Sequence, residues 1–308
     1  MRLASTVGYF LLSWIRSLWS LRAASAALGT FGAMWLALEL ANYFFSGASA
    51  ISAIQHNWLL FGIAGLMIAG FRCRPRNSVC YQLSGRDVSI EIFIGDLFSI
   101  PGSLVVGTNT TFDTQISSHL ISERSVQGQF TKRYYASEDQ LDRELDASLA
   151  GETHVKLTGR RLGKSKLYPV GACAKLDLKE RTTYFVAICE LNEHGNASGT
   201  FDDLQESLAS LWSYIGKRGS RDGIVTPILG TGFGRITQTR QQVIHEIVRS
   251  FIAACSEMVF ADKLTIVISA KDAVKHNISL GELGEFLKLQ CVYNGFAPSG
   301  GRARGTAV

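Results

Sequence analysis

The first 80 residues contain a single acidic side chain, Glu39, against six arginines: Arg2, Arg16, Arg22, Arg72, Arg74 and Arg76. Of the 31 basic and 26 acidic residues in the chain, 25 of each remain beyond position 80, so the net charge of +5 belongs to the N-terminal quarter. A charge-balanced remainder with no basic stripe excludes nucleic acid as the partner, and the arginine excess points to a membrane. Paired cysteines are also missing. The six cysteines (Cys73, Cys80, Cys173, Cys189, Cys255, Cys291) form no C-x-x-C pair, which excludes a zinc site or a disulfide framework. Cys189 and Cys255 lie in apolar runs and are expected to be buried free thiols.

Charge is almost absent from two long runs. Ala23 to Phe45 is 23 residues with Glu39 as its only charge, and Ile51 to Phe71 is 21 residues with an apolar part from Trp58. Each is long enough to cross a hydrocarbon core of about 30 Å, so a two-span hairpin closed by Ser46–Ala50 is expected. A secretory signal peptide has a shorter apolar region and no second span directly after it. Arginines flank the pair on its outer sides only, which places both ends and residues 81–308 in the cytoplasm. Residues 1–22 carry Leu3, Val7, Phe10, Leu11, Trp14, Leu18 and Trp19 near helical spacing, the pattern of an amphipathic surface helix. Gly29, Ala33, Gly62 and Gly65 favour close helix approach and self-association. Glu39 within a span should face protein or water, unless it snorkels to the far interface.

Arg72 to Asn77, with Pro75, ends the hairpin, and the cytoplasmic part reads as a domain over 81–292 with a disordered tail over 293–308. Strands are expected at Val88–Ile94, Ser103–Asn109, Lys166–Cys173, Thr182–Glu190, Gly223–Leu229 and Lys263–Ser269. Helices are expected from Ser137 to Gly151, from Thr200 to Arg218, from Thr239 to Glu257 and from Ser279 to Leu289, each opened by a capping residue. Apolar strands alternating with amphipathic helices give the fold class: α/β, a three-layer sandwich around a mixed sheet, preceded by a transmembrane hairpin.

Three strand ends carry unusual residues: Gly95-Asp96, Asn109-Thr110-Thr111 and Gly230-Thr231-Gly232-Phe233-Gly234-Arg235. Three glycines in five residues between a strand and a helix expose N–H groups to an anion, the requirement of a phosphate. No Lys-Ser/Thr follows, which excludes a Walker loop, and Arg235 stands where a dinucleotide fingerprint needs its third glycine. Asp96 offers acceptors to an adenine edge or a ribose, or caps a turn; Asn109 orients a ribose hydroxyl or closes an Asx turn. Lys132, Arg133 and Arg235 are candidate cations for phosphate or carboxylate.

In this order, Gly95-Asp96-Leu97, Val105-Val106-Gly107-Thr108-Asn109 and Pro227 to Arg235 resemble a macro domain over roughly residues 88–290. The resemblance implies ADP-ribose binding: Asp96 and Leu97 at adenine, Asn109 and Thr110 at the distal ribose, and Leu229, Gly230, Thr231, Gly232, Phe233, Gly234 and Arg235 around the pyrophosphate. It implies no metal and no cofactor. The segment from Thr110 to Tyr135 departs from the hydrolytic members, which carry a glycine-rich loop there; Gly128 is its only glycine. No catalytic residue is therefore assigned, and the pocket is expected to take a modified ADP-ribose.

Joined to membrane helices, such a domain resembles the membrane effector of the bacterial Thoeris antiphage system. That implies a protein of the bacterial inner membrane that takes an ADP-ribose-derived, possibly histidine-conjugated signal from a TIR-domain enzyme, then oligomerises and disrupts the lipid bilayer. Two alternatives remain. One is a membrane-tethered ADP-ribosyl hydrolase with Asn109 positioning the ribose and Asp113 or His119 as base. The other is a passive ADP-ribose-binding scaffold.

Overall fold

A computed structural model describes residues 21–44, 58–72, 77–118, 120–158, 163–191, 197–230 and 236–293. The chain divides into two compact units, Met1–Asn77 and Ser78–Val308. The expected amphipathic segment before residue 21 and the tail after residue 293 lie outside the described residues.

The first unit contains helix α1, Leu21–Phe44, and helix α2, Trp58–Arg72. Within α1, Ala23–Phe44 spans 22 residues and is long and apolar enough to cross a membrane; only 11% of its most apolar window is buried. Leu28, Trp35, Leu36, Leu40, Tyr43 and Phe44 all stand exposed on it. The described part of the expected second span is 15 residues, about 22 Å of helix, which is too short to cross alone. Residues 45–57 lie outside the described residues, so among those described one helix meets the length requirement, and the start of the expected second span, Ile51 to Asn57, falls outside them. The two helices touch where the Phe31 ring lies over Gly65; a Cβ there would come within 2.4 Å of the ring.

The second unit is built on one sheet. Its strands are β1 (Ser78–Gln82), β2 (Ser89–Ile94), β3 (Ser103–Asn109), β6 (Cys173–Asp177), β7 (Thr182–Leu191), β9 (Ile224–Pro227) and β10 (Lys263–Ile268), with short β8 (Ala197–Ser198) on β7. A separate two-stranded ribbon pairs β4 (Val155–Lys156) with β5 (Lys166–Leu167). The sheet order is β1-β2-β10-β9-β3-β7-β6. The five inner strands run parallel, and the outermost ones, β1 and β6, are antiparallel to their neighbours. Parallel strands need both faces covered, and the burial of every residue of β9 and nearly all of β3 and β10 shows that they are.

On one face, helices α3 (Val126–Tyr134) and α4 (Glu138–Ser148) contribute Phe130, Leu141 and Leu145 to a core with Leu104, Val106, Phe185 and Val225. The remaining long helices are α5 (Phe201–Arg218), α6 (Arg240–Glu257) and α8 (Leu280–Lys288), with short α7 (Ala270–Lys275) preceding the last. Trp212 of α5 packs edge-on against Phe251 of α6 and donates its indole N–H to Ser250 Oγ at 3.0 Å. The three-layer α/β sandwich with a mixed sheet is therefore the observed fold. Cys189 and Cys255 are buried free thiols, and burial pushes them to about 11 and about 12.

The capping expectations hold at the level of atoms. Thr200 with Asp203 and Thr239 with Gln242 form reciprocal capping boxes at α5 and α6. Ser137 Oγ accepts from the Gln140 N–H at 3.3 Å, but the Gln140 amide turns to Glu144 instead of returning the bond. One strand expectation is corrected. Lys166–Cys173 is not a single strand, because Pro169 supplies no N–H and Gly171 takes φ +81°. The chain turns there, with the Ala172 N–H on Pro169 O at 3.1 Å, and β6 starts only at Cys173. Strand β1 and helices α3 and α7 were not anticipated.

Candidate functional site

The sheet order creates one opening. From β3 the chain proceeds to β7 on one side, while from β9 it proceeds to β10 on the other, so β3 and β9 flank the topological switch point. Their pairing is short: Ser103 with Ile224 and Leu104 with Val225. Beyond those pairs β3 continues along β7 as far as Asn109, and β9 continues along β10 as far as Pro227. The two strands thus part toward their carboxyl ends and leave a crevice. Leu229 leans across it onto Gly107, where an added Cβ would lie 3.4 Å from Leu229 Cδ2 and 2.6 Å from Ile188 Cδ1. A larger residue here would force the Ile188 side chain to move.

The β3 side of the crevice is filled by the chain's own polar groups. Asn109 Oδ1 accepts from the N–H groups of Thr111 and Asp113 at 3.2 and 3.1 Å, closing an Asx turn. The Asp113 carboxylate takes three donors: Thr111 Oγ1 at 2.5 Å, Asn109 Nδ2 at 3.2 Å and the Lys164 N–H at 2.7 Å. Thr108 Oγ1 donates to Gln127 Oε1 at 3.0 Å, and Gln127 Nε2 donates to the Asp113 carbonyl at 2.6 Å. Thr108, Asn109, Thr111, Asp113 and Gln127 are all buried, so each of these bonds is made out of water, where a missing partner costs about 1–3 kcal/mol.

Lys164 then anchors this turn to α4. Its Nζ lies 2.8 Å from both Asp142 Oδ1 and Asp146 Oδ1, and Asp142 also accepts from Thr114 Oγ1 at 2.8 Å. Phe112 adopts φ +50°, rare for an aromatic residue, and is compensated by complete burial edge-on against Tyr168. Burial, with Asp146 and Glu152 nearby, raises the Tyr168 phenol above its ordinary value.

The β9 side is finished differently. Leu229 is buried, and Gly230 takes φ +71°, with its carbonyl accepting the Ile236 N–H at 3.1 Å. A Cβ on Gly230 would sit 2.1 Å from Ile236 Cδ1. That bond draws together the two ends of a glycine-rich loop whose inner residues, Thr231, Gly232, Phe233, Gly234 and Arg235, lie outside the described residues.

Two strands further out, beyond β10, Asp96 follows β2 and caps the turn Leu97–Ser99, its Oδ1 accepting the Phe98 N–H at 3.4 Å. Its other oxygen lies 3.8 Å from Arg133 Nη1, and the Arg133 guanidinium sits 5.4 Å above the Phe98 ring. Leu97 points into the core. Lys132, the other candidate cation of α3, pairs with Glu123 at 2.8 Å.

Of the expected site residues, Asp96, Asn109, Thr110, Leu229 and Gly230 stand at carboxyl ends of parallel strands on one edge of the sheet. Thr110 is buried, and its hydroxyl finds no hydrogen-bond partner among the described residues. His119 lies outside the described residues, and among those described no cluster suited to a metal occurs. Gln127 and Lys164 were not singled out from the sequence, and Thr111 was noted only as part of its strand end. The spacing Asn-x-Thr-x-Asp over 109–113 was the available signal, since side-chain oxygens two and four positions apart can close a turn on themselves.

A model of the Thoeris protein ThsA macro domain matches residues 90–269, more than half of the chain. The chain belongs to the ThsA macro-domain family. Thoeris protein ThsA of Bacillus amyloliquefaciens (strain Y2) is 25% identical over 222 residues, covering 69% of this chain and 71% of that protein. Among solved structures, an Oceanobacillus iheyensis macrodomain with MES bound aligns at 14% identity and TM-score 0.46, covering 68% of this chain and 98% of that one. A Trypanosoma brucei macrodomain in complex with ADP-ribose aligns at 15% identity and TM-score 0.41, covering 61% and 66%. The ThsA model begins inside β2 and ends just after β10, so the matched region contains the five parallel strands, the crevice and all three unusual strand ends.

Proposed function

We propose that this ThsA-family chain is a ligand-gated membrane effector of an antiphage system, whose crevice binds an ADP-ribose-derived signal. The observation that carries the reading is the parting of β3 from β9 at the topological switch point, with a positive-φ glycine on one side and an asparagine turn on the other. A diphosphate suits the glycine side, where bare backbone follows a buried strand. Adenine and ribose extend toward Asp96 and Asn109 on either side. The signal comes from a TIR-domain enzyme, and its conjugated group extends beyond the distal ribose. Binding shifts the chain toward an assembled form to the extent that this form binds the signal better.

The reading is non-catalytic. Of the two candidate bases, Asp113 accepts from three groups of its own chain and acts as scaffold, and His119 lies outside the described residues. On this reading the effector is a multi-pass protein of the bacterial inner membrane, anchored by helix α1 and the run from Ile51 to Phe71, with the second unit in the cytoplasm; the apolar length of α1 supports the anchor.

The decisive experiment measures ADP-ribose binding to the full chain in detergent by calorimetry, alongside Gly232→Glu. A carboxylate there lowers affinity at least about a hundred-fold, because a like charge meets the diphosphate in a confined site. Equal affinities for the two proteins would remove the diphosphate from this loop. Release of product from an ADP-ribosylated protein would replace the effector by a hydrolase.

A further inference from the structure

Helix α1 has two different sides. The side toward α2 holds its least exposed residues, Ala23 and Thr30, together with Phe31, whose ring covers Gly65. Turning through about 100° per residue, Ser25, Gly32 and Glu39 fall on the opposite side. These three recur every seven residues, and all are exposed. Leu28, Leu36 and Tyr43 lie between them on the same side, 77%, 61% and 79% exposed. Nothing lies within 4 Å of where a Gly32 Cβ would stand. The described part of the second helix, Trp58–Arg72, therefore leaves this side uncovered at Gly32.

Glu39 decides what does. A carboxylate in a membrane span is expensive against lipid and is found facing protein or water. Asn42, three residues on and also exposed, brings amide donors to the same end of the helix. A side carrying both the acceptor and the donor is complementary to itself, as a contact between identical chains requires. The seven-residue period is that of a packed helix–helix seam, and polar groups on such a seam fix its register. Glycine at its middle lets two backbones approach.

We infer that the side of α1 bearing Ser25, Gly32 and Glu39 is a self-association seam whose occupant is α1 of a second copy of this chain. The inference rests on the proposed reading that the chain spans a membrane and assembles there, and it names the surface that does so. In the assembly, Glu39 of one copy accepts from Asn42 of the next, so assembly removes the carboxylate from lipid. The first unit then carries an intrinsic drive to associate, and the second unit needs only to control when copies meet.

The test is cysteine cross-linking of the full chain in membranes, in a Cys73→Ser, Cys80→Ser background, because Cys80 is the exposed thiol among the described residues and Cys73 directly follows α2 in the sequence. Single cysteines are placed at Ser25, Gly32 and Leu36 on the seam and at Ala26, Thr30 and Met34 on the side toward α2. Oxidation with copper phenanthroline is expected to yield at least about five times more dimer from the first set than from the second. Equal yields, or the reverse ratio, would overturn the seam.

A second arm compares Glu39→Gln with Glu39→Leu. The amide keeps a hydrogen-bonding group and preserves cross-linking through Gly32→Cys, whereas leucine lowers it several-fold. Undiminished cross-linking in Glu39→Leu would show that Glu39 reaches the interface and plays no part in the contact. ADP-ribose binding is measured on every variant. Loss of binding with the cross-linking period intact counts against the proposed ligand, and retained binding without the period counts against the seam.

Discussion

The carboxyl ends of β3 and β9 flank one crevice but are finished in opposite ways. At β3 the chain spends five buried polar side chains on itself, and Asp113 alone receives three donors. At β9 the described residues show a simpler finish: the turn is made by a glycine at φ +71°, the described backbone hydrogen bond runs from Ile236 to Gly230, and the Thr226 hydroxyl donates to the Pro227 carbonyl. A wall whose polar groups are satisfied internally is rigid and indifferent to occupancy. Under the proposed reading, the two together would give the pocket one fixed side and one side left to report on the ligand.

The contrast is broken most severely at Asp113. Asp113→Ala leaves the Lys164 N–H and the Asn109 amide without this acceptor and the Thr111 hydroxyl with Asn109 Oδ1 alone, for a loss of about 3 kcal/mol. In a domain of this size that lowers Tm by roughly 10 °C, measurable by scanning fluorimetry on the full chain. A fall of only a degree or two would mean that water already serves these groups and that the wall is not sealed. Next in size is Gly230→Ala, which meets both the left-handed backbone and Ile236. The strain is about 1–2 kcal/mol, and ADP-ribose affinity falls about ten-fold or more because the loop ends are displaced. If calorimetry found stability reduced but affinity intact, the β9 wall would be structural and no more.

The smallest effect has the opposite sign. Thr110 stands between the two walls in character, buried like the β3 network yet with its hydroxyl unpartnered. Thr110→Val removes that hydroxyl at nearly constant shape and is expected to raise stability by up to about 1 kcal/mol, a Tm gain of a few degrees. A lowered Tm would reveal a donor or ordered water that belongs to the site.

The sequence exposed one wall better than the other. Glycines between an apolar run and a capped helix are visible as letters, because what matters there is the absence of side chains. The boundaries of β2, β3, β7 and β10 were legible for a similar reason, since burial on two faces writes itself as consecutive or alternating apolar residues. The β3 network was not. Asn109, Thr111 and Asp113 read as turn formers or ligands with equal ease, and their partner Lys164 comes from a loop 51 residues away. Helix α3 escaped notice because its buried face includes Gln127, Gly128 and Thr131, which do not trace a hydrophobic stripe. Its Gly128 is required by packing, since a Cβ would lie 2.2 Å from the Ser122 carbonyl. Strand β5 was overextended because Pro169 and Gly171 sit inside a run whose other residues suit a strand.

The Asn109 turn has one further consequence, in time rather than in space. The amide protons of Thr111, Asp113 and Lys164 end on side-chain oxygens of Asn109 and Asp113. No neighbouring strand holds them, so ordinary fraying of the sheet edge does not release them. They become free only when the turn, the β4–β5 ribbon and α4 come apart together. A loop of this kind exchanges its hydrogens with solvent on the slow clock of the domain's interior.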